Sequence, residues 1–315
     1  MVRERLSAKP FMKWAGGKTQ LLGAFERRFP PGLGRGPITR YIEPFVGGGA
    51  VFFSVARRCR PCESFLFDIN EELILVYTVV KRDVENLIDQ LALLESAFLP
   101  LDAEGRGLFY YGVRGLLNRT RPEIDFSRYS DSWTQRAAQL LFLNRTCYNG
   151  LFRVNRRGDF NVPFGRYKRP RILDADNLRA VSRLLEHTEV SSGDFTACEP
   201  LVDERTFVYI DPPYRPLNET SRFTSYSRSR FDDQDQIRLA EFCRVLDRKG
   251  AKVMISNSDP KNEDPGNDFF DELYAGFTIE RVPARRAINC RGKGRGPLNE
   301  LIITNYSHRA GAKQD

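Results

Sequence analysis

Histidine is almost missing from these 315 residues: His187 and His308 are the only two. They lie far apart in sequence with no obvious nucleophile beside either, which argues against a Ser-His or Cys-His hydrolase. Cysteine is sparse as well. Six cysteines in a chain of this length make no disulfide framework. The one close pair, Cys59-x-x-Cys62, lacks the second pair or nearby histidine that a zinc site needs, so reduced structural thiols and no metal are expected. No apolar run is long enough to span a membrane, and Met1-Val2-Arg3-Glu4-Arg5 lacks the apolar core of a signal peptide. The expectation is a soluble, cytoplasmic protein with no membrane partner. The apolar (41%) and charged (29%) fractions are those of a globular chain. Lys plus Arg (49) exceeds Asp plus Glu (41), and the net charge of +8 permits a polyanionic partner without demanding one.

There is no internal repeat and no low-complexity block. Lys18 to Phe29 has helical apolar spacing at Leu21, Leu22, Phe25 and Phe29, and Pro30-Pro31 stops it. Tyr41 to Phe45 reads as a strand feeding Gly47-Gly48-Gly49, a helix with Val51, Phe52, Val55 and Ala56 follows, and Phe65-Leu66-Phe67 reads as the next strand. This βαβ order implies parallel strands with helices on the faces. From about Glu71 the texture changes. A long helical stretch (Leu73 to Phe98) precedes an irregular segment (Arg106 to Ser132), a further helix (Trp133 to Leu143) and a polar, basic, aromatic loop (Asn144 to Arg171). Strand signals return at Val190, Val208-Tyr209-Ile210, Val253-Met254-Ile255 and Leu301-Ile302-Ile303. The expected fold is α/β, with 1–72 and 186–315 forming the sheet domain and 73–185 a mostly helical insert.

Three loops carry chemistry. Asp211-Pro212-Pro213-Tyr214 follows the apolar run Phe207-Val208-Tyr209-Ile210, so it sits at a strand's carboxyl end. Two consecutive prolines cannot donate to a sheet ladder, and the chain must leave the sheet there. The bland reading is a proline turn ending a strand. The sharper one is a stiff turn that gathers a carboxylate, a free carbonyl and an aromatic ring, which suits a flat, amine-bearing base. Gly47-Gly48-Gly49 lets a ligand approach the backbone near a helix N-terminus. Asp68 follows Gly47 by 21 positions, where a carboxylate can accept hydrogen bonds from the ribose of an adenosine-containing cofactor. The run is not G-x-G-x-x-G, which lowers the case for a nicotinamide cofactor. In Phe11-Met12-Lys13-Trp14-Ala15-Gly16-Gly17-Lys18 the glycines are adjacent, so the P-loop spacing fails. Trp14 and Lys18 suit a ring contact and a carboxylate contact instead.

Phe11…Trp14-x-Gly16-Gly17-Lys18, Pro44-Phe45-x-Gly47-x-Gly49, Asp68 and Asp211-Pro212-Pro213-Tyr214 occur in the order seen in alpha-class amino-group DNA methyltransferases. From about Lys9 to Tyr306 the chain resembles the Dam-type adenine-N6 enzymes. The resemblance implies a Rossmann-like, S-adenosyl-L-methionine-dependent sheet interrupted by a target-recognition insert. It implies that Trp14, Lys18, Asp68 and Asp211 contact the cofactor, with Phe45, Gly47, Asp194 and Phe195 helping to bind it. Asp211, Pro212 and Tyr214 would then hold an adenine flipped out of duplex DNA, its N6 hydrogens on Asp211 and the Pro212 carbonyl and its ring on Tyr214.

Asn144 to Lys168, read alone, is either a solvated surface loop or a nucleic-acid reader. By the resemblance it is the hairpin that reads GATC. Arg153 would read a guanine, Leu151 and Pro163 would touch a thymine methyl, and Asn149 would fill the gap left by the flipped base. Lys13, Tyr148, Asn155, Asn161, Arg166 and Tyr167 would contact DNA, and Arg114 or Arg119 would read the other guanine. Thr146-Cys147 departs from some Dam-type loops, which touches fine contacts more than the target. Arg222 to Arg230 reads as a lid or as a plain loop, and Arg291 to Gly296 as a phosphate contact or a basic turn. An N4-cytosine or RNA amino-methyltransferase and a catalytically silent DNA-binding protein stand as rivals. Nucleoid association and pairing with a cognate restriction endonuclease stand open.

Overall fold

The computed structural model describes residues 8–214, 231–284 and 298–308. Arg222 to Arg230, Arg291 to Gly296 and the tail after residue 308 lie outside them.

Seven strands form one sheet: β1 (Arg40–Glu43), β2 (Glu63–Asp68), β3 (Thr188–Ser192), β4 (Thr206–Ile210), β5 (Lys252–Ser258), β6 (Thr278–Ala284) and β7 (Leu298–Thr304). Their order across the sheet is β3-β2-β1-β4-β5-β7-β6. The first five are parallel, and β7 runs antiparallel between β5 and β6. β4, Thr206–Ile210, is buried at every position and lies at the centre, as its unbroken apolar run requires. The chain winds from β1 toward β3 on one side and from β4 outward on the other. The crevice beyond the carboxyl ends of β1 and β4 is therefore the topological switch point, where open α/β sheets bind ligands.

The helices among the described residues are α1 (Leu22–Glu26), α2 (Ala50–Arg58), α3 (Glu71–Arg82), α4 (Val84–Phe98), α5 (Ala103–Thr120), α6 (Asp131–Thr146), α7 (Ala175–Leu185), α8 (Asp233–Arg248) and α9 (Phe269–Leu273). Local chemistry sets several of their starts. The Asn70 side chain accepts from the backbone of Glu72 and Leu73 and caps α3. Asp232 and Asp235 form a reciprocal capping box on α8.

Strand alternation splits the core in two. Tyr41, Leu66, Tyr209, Met254 and Ile302 face a cluster that runs without a break into α3, α4 and α6. Ile42, Phe67, Val208, Ile210, Val253 and Ile303 face a second cluster closed by α8 and α9. The first face is the one that carries Asp211, two positions beyond Tyr209.

Three sequence expectations are corrected. Leu73 to Phe98 is two helices, broken at Asp83, whose φ of −146° and ψ of 48° are not helical. Arg106 to Ser132 is not irregular throughout, because α5 occupies Ala103–Thr120. Its glycines at 105, 107, 112 and 115 blur the helical signal, and tertiary bonds from Tyr110 and Asn118 to the hairpin backbone hold it. β6 was missed because it is an edge strand with one buried residue and a proline inside.

Candidate active site

A cleft of about 590 Å3 opens at the switch point. Trp14, Lys18, Phe45, Gly47, Asp68, Asp194, Phe195, Asp211, Pro212 and Tyr214 all line it. The structure thus gathers all ten predicted catalytic and cofactor residues from segments up to 200 residues apart (14 to 214) in one space.

Asp211 leaves β4 with its side chain about one-fifth exposed, toward the cleft. One oxygen lies 2.8 Å from the Lys18 ammonium, and the other accepts from Ser256 Oγ at 2.9 Å. Ser256 in turn pairs with the Tyr209 hydroxyl at 2.8 Å. Burial pushes the Asp211 carboxyl above the ordinary aspartate range, while Lys18 and Ser256 pull it back. Lys18, 6% exposed, also donates to the Gly16 carbonyl at 2.8 Å. Its predicted partner was a cofactor carboxylate, and here its ammonium is held by Asp211. Pro213 is fixed by its carbonyl, which accepts from Gln236 on α8 at 3.3 Å.

The glycine loop owes its shape to close approach. Gly47 has φ 47°, and a Cβ there would stand 2.8 Å from Trp14 Cδ1. Only glycine gives both the conformation and the space. Its amide donates to Asp68 Oδ2 at 3.0 Å, and Asp68 Oδ1 accepts from the Asn70 amide at 3.0 Å. The carboxylate keeps acceptor capacity for a hydroxyl donor. The Tyr77 hydroxyl holds the Gly47 carbonyl at 3.2 Å. Across the cleft Phe45 stacks on Phe195 with centroids 5.6 Å apart, and Phe231 meets Phe45 edge-on. Arg238 lies 4.2 Å over Phe195 and forks onto both Asp194 oxygens at 2.9 Å. A carboxylate able to accept from ribose hydroxyls, set between a glycine loop and an apolar, aromatic wall, fits an adenosine-containing methyl donor.

Apart from Lys13, which sits on the turn before Trp14, the expected DNA residues lie on a hairpin beside the cleft. Asn161 N donates to Arg153 O at 3.0 Å and Asn155 N to Asp159 O at 2.9 Å, closing the ladder. Tyr148, Asn149, Arg153, Pro163 and Arg166 are exposed, while Leu151, Asn155, Asn161 and Tyr167 are half-buried. Asn149 has φ 56°, a conformation asparagine tolerates better than most residues. Its amide is held by the Tyr167 hydroxyl at 2.9 Å. The Arg153 guanidinium is bonded to Asn161 Oδ1 at 2.7 Å.

Hairpin and cleft share a wall. Asn144, 3% exposed, accepts from Lys13 N at 2.8 Å and donates to the carbonyls of Lys13 and Gly150 at 2.8 and 3.0 Å. Gly150 sits so near Lys13 that a Cβ would fall 2.8 Å from the Lys13 Cβ. The Lys13 ammonium lies 5.2 Å from the Tyr167 ring centre, and Trp14 stacks on Phe152 at 5.3 Å. Arg114 donates to the Val162 carbonyl at 3.2 Å.

Sequence reasoning missed Asn144, Gln236, Arg238, Phe231 and Tyr77. Each acts through a partner at least six residues away, most of them far more, and no local pattern marks such pairs. Ser256 was traceable, since it directly follows the apolar run Val253-Met254-Ile255 and lies on β5, the strand beside β4. Among the described residues no cluster of His, Cys, Asp or Glu could hold a metal ion, and no helix is long and apolar enough to cross a membrane.

Residues 14–288 match the family described as D12 class N6 adenine-specific DNA methyltransferase. The chain is 50% identical over 302 residues to the Type II methyltransferase M.MjaIII of Methanocaldococcus jannaschii, covering 96% of this chain and 100% of that one. It is 36% identical over 308 residues to the Type II methyltransferase M1.LlaDCHI of Lactococcus lactis subsp. cremoris, covering 97% and 98%. It is 33% identical over 300 residues to the DNA adenine methylase of Escherichia coli (strain K12), covering 93% and 94%. With the family matched across the cleft and the hairpin alike, this chain belongs to the D12 class of N6 adenine-specific DNA methyltransferases and is a site-specific adenine DNA methyltransferase.

Proposed function

We propose that the methyl donor is S-adenosyl-L-methionine, that the target is the adenine of GATC in duplex DNA, and that the base is flipped into the cleft. The observation that carries this reading is Asp211. A single carboxylate at the end of β4 faces the same space as Trp14, Gly47 and Asp68, with the Tyr214 ring beside it. Bound S-adenosyl-L-methionine supplies an electrophilic methyl group. Trp14, Phe45, Gly47, Asp68, Asp194 and Phe195 would hold it, Asp68 by its ribose hydroxyls, with Lys18 at its carboxylate end.

The adenine N6 lone pair is delocalised into the ring and is a poor nucleophile. Asp211 and the Pro212 carbonyl accept the two N6 hydrogens and turn the lone pair out of the ring system. The Asp211 charge also favours the positive nitrogen that develops. Ser256, itself held by Tyr209, and Lys18 fix the carboxylate, so little reorganisation remains at the moment of transfer. Tyr214 gives the extruded purine a stacking face. Lys13, Tyr148, Asn149, Leu151, Arg153, Asn155, Asn161, Pro163, Arg166 and Tyr167 form the DNA face, carried by the 73–185 insert and the Lys13 turn beside it.

Labelled methyl transfer to duplexes with and without GATC, followed by nucleoside analysis, tests the reading. N6-methyladenine confined to GATC duplexes supports it. Methylcytosine, methylation of RNA alone or incorporation into neither substrate refutes it, and N6-methyladenine outside GATC removes the target. Arg153→Ala is expected to lose about 1–3 kcal/mol of discrimination at one base pair, measured as kcat/KM across singly altered sites. An unchanged profile removes that assignment.

The pH profile has a definite sign. Protonated Asp211 cannot accept from N6, so kcat/KM falls as pH drops through a pKa that burial raises above the usual aspartate value. Ser256→Ala removes a donor that favours the charged form. Its acid limb is expected at higher pH than that of the wild type, and a limb unmoved or displaced to lower pH contradicts the arrangement.

A further inference from the structure

Tyr214 is restrained from two sides. The Lys18 ammonium stands 4.5 Å from its ring centre. Its hydroxyl donates to a carboxylate oxygen of Glu300 on β7, 86 residues away. Sheet register explains the reach. In the antiparallel β5–β7 pair, Ser256 lies opposite Ile302 and Ser258 opposite Glu300. Cross-strand partners share a face and faces alternate along a strand. Glu300 is therefore on the face where Ser256 bonds Asp211, one step further toward the carboxyl end of β5. That step brings its carboxylate to Tyr214, three residues beyond Asp211.

Glu300 is only partly exposed, and burial pushes its carboxyl above the usual glutamate range, with the Tyr214 bond and the Lys18 charge pulling back. A half-buried carboxylate needs hydrogen bonds to offset its desolvation. The partner the structure gives it is Tyr214, whose ring lines the cleft with Asp211.

We propose that Glu300 is a positioning residue for methyl transfer: by accepting the Tyr214 hydroxyl it fixes the ring on which the target base stacks, and so the place of the N6 amine relative to Asp211. This rests on the reading that Asp211 and Tyr214 receive the base. Without the acceptor only the Lys18 contact steadies the ring, while the cofactor half of the cleft is untouched. A displacement of about 1 Å in a reacting group can cost on the order of 100-fold in rate.

The test compares Glu300→Ala, Glu300→Gln, Tyr214→Phe, the Glu300→Ala/Tyr214→Phe double variant and Asp211→Ala. Kinetics are combined with the fluorescence of a duplex carrying 2-aminopurine at the target adenine. Glu300→Ala is expected to lower kcat by about 10- to 100-fold, with the cofactor KM within about twofold of wild type. Its 2-aminopurine signal should be altered, reporting a base that is extruded but poorly stacked. The Gln variant keeps an acceptor oxygen and should stay within about threefold of wild type. Tyr214→Phe should match Glu300→Ala, and the double variant should be no worse than either single one.

Wild-type kcat in Tyr214→Phe or Glu300→Ala overturns the inference. So does a Gln variant as slow as the Ala variant, or losses that multiply in the double variant. Should Glu300→Ala fail to fold, Tyr214→Phe breaks the same bond from the other side and decides the matter. Asp211→Ala separates the layers. If it is active, the underlying reading falls; if it is dead while Tyr214→Phe is normal, only the role of Glu300 falls.

Discussion

Asp211→Ala is expected to lower kcat by about 100- to 1,000-fold or more, the range seen when one preorganised transition-state group is removed. Binding of GATC duplex should change little. The argument is positional. Asp211 sits in the cleft, held by Lys18 and Ser256, whereas the exposed Arg153 and Tyr148 sit on a hairpin closed by its own backbone bonds. Loss of the carboxylate also leaves Lys18, 6% exposed, without its counter-charge, so a modest fall in melting temperature should accompany the loss of activity. Asp211→Asn keeps an acceptor oxygen but no charge and should fall between the two. Single-turnover methylation beside equilibrium DNA binding distinguishes these outcomes, and wild-type turnover by the alanine variant would refute the assignment.

The second large effect is on stability. Arg136, 3% exposed on α6, forks onto both oxygens of Glu72 on α3, its Nε at 2.7 Å from Oε2. It also donates to the Leu117 carbonyl of α5 at 2.9 Å. One guanidinium thus ties three helices together. Arg136→Ala would leave Glu72 and that carbonyl buried without this partner. A cost of about 3–5 kcal/mol is expected, which for a chain of this size lowers Tm by roughly 5–8 °C. Because α3 begins just after Asp68 and Asn70, weaker cofactor binding should accompany the loss. Replacing both members with methionine should recover much of the stability, since well-packed apolar pairs can equal buried ionic ones. Thermal and urea unfolding check both variants. A melting curve unchanged in Arg136→Ala would show that the pair contributes nothing net.

The motifs of the cleft could be read in the sequence because each is a turn at a strand end with a local chemical reason. Pro212-Pro213 must leave the sheet, Gly47-Gly48-Gly49 leaves the backbone open to close approach, and Asp68 must end a strand. Their convergence follows from parallel strands meeting at a switch point. The helical insert was legible in outline only. α5 carries four glycines, and its place is set by contacts with the hairpin rather than by its own periodicity. Arg136 looks like any helix-borne arginine until its partner 64 residues away is known. Gln236, Arg238 and Asn144 were hidden for the same reason, since a side chain's duty in holding a loop is written in the tertiary fold and leaves no local pattern.

The Asn144 clip bears on how such an enzyme could change its target sequence. Because one buried amide pins the turn before Trp14 to the start of the hairpin, the hairpin proposed to read DNA is not a detachable cassette. On that proposal, transplanting residues 144–168 from a relative of different specificity would set a new hairpin onto a foreign seat. Unless the donor's own counterparts of Lys13 and Gly150 travelled with it, the chimera would misalign its methylation pocket as well as its base contacts.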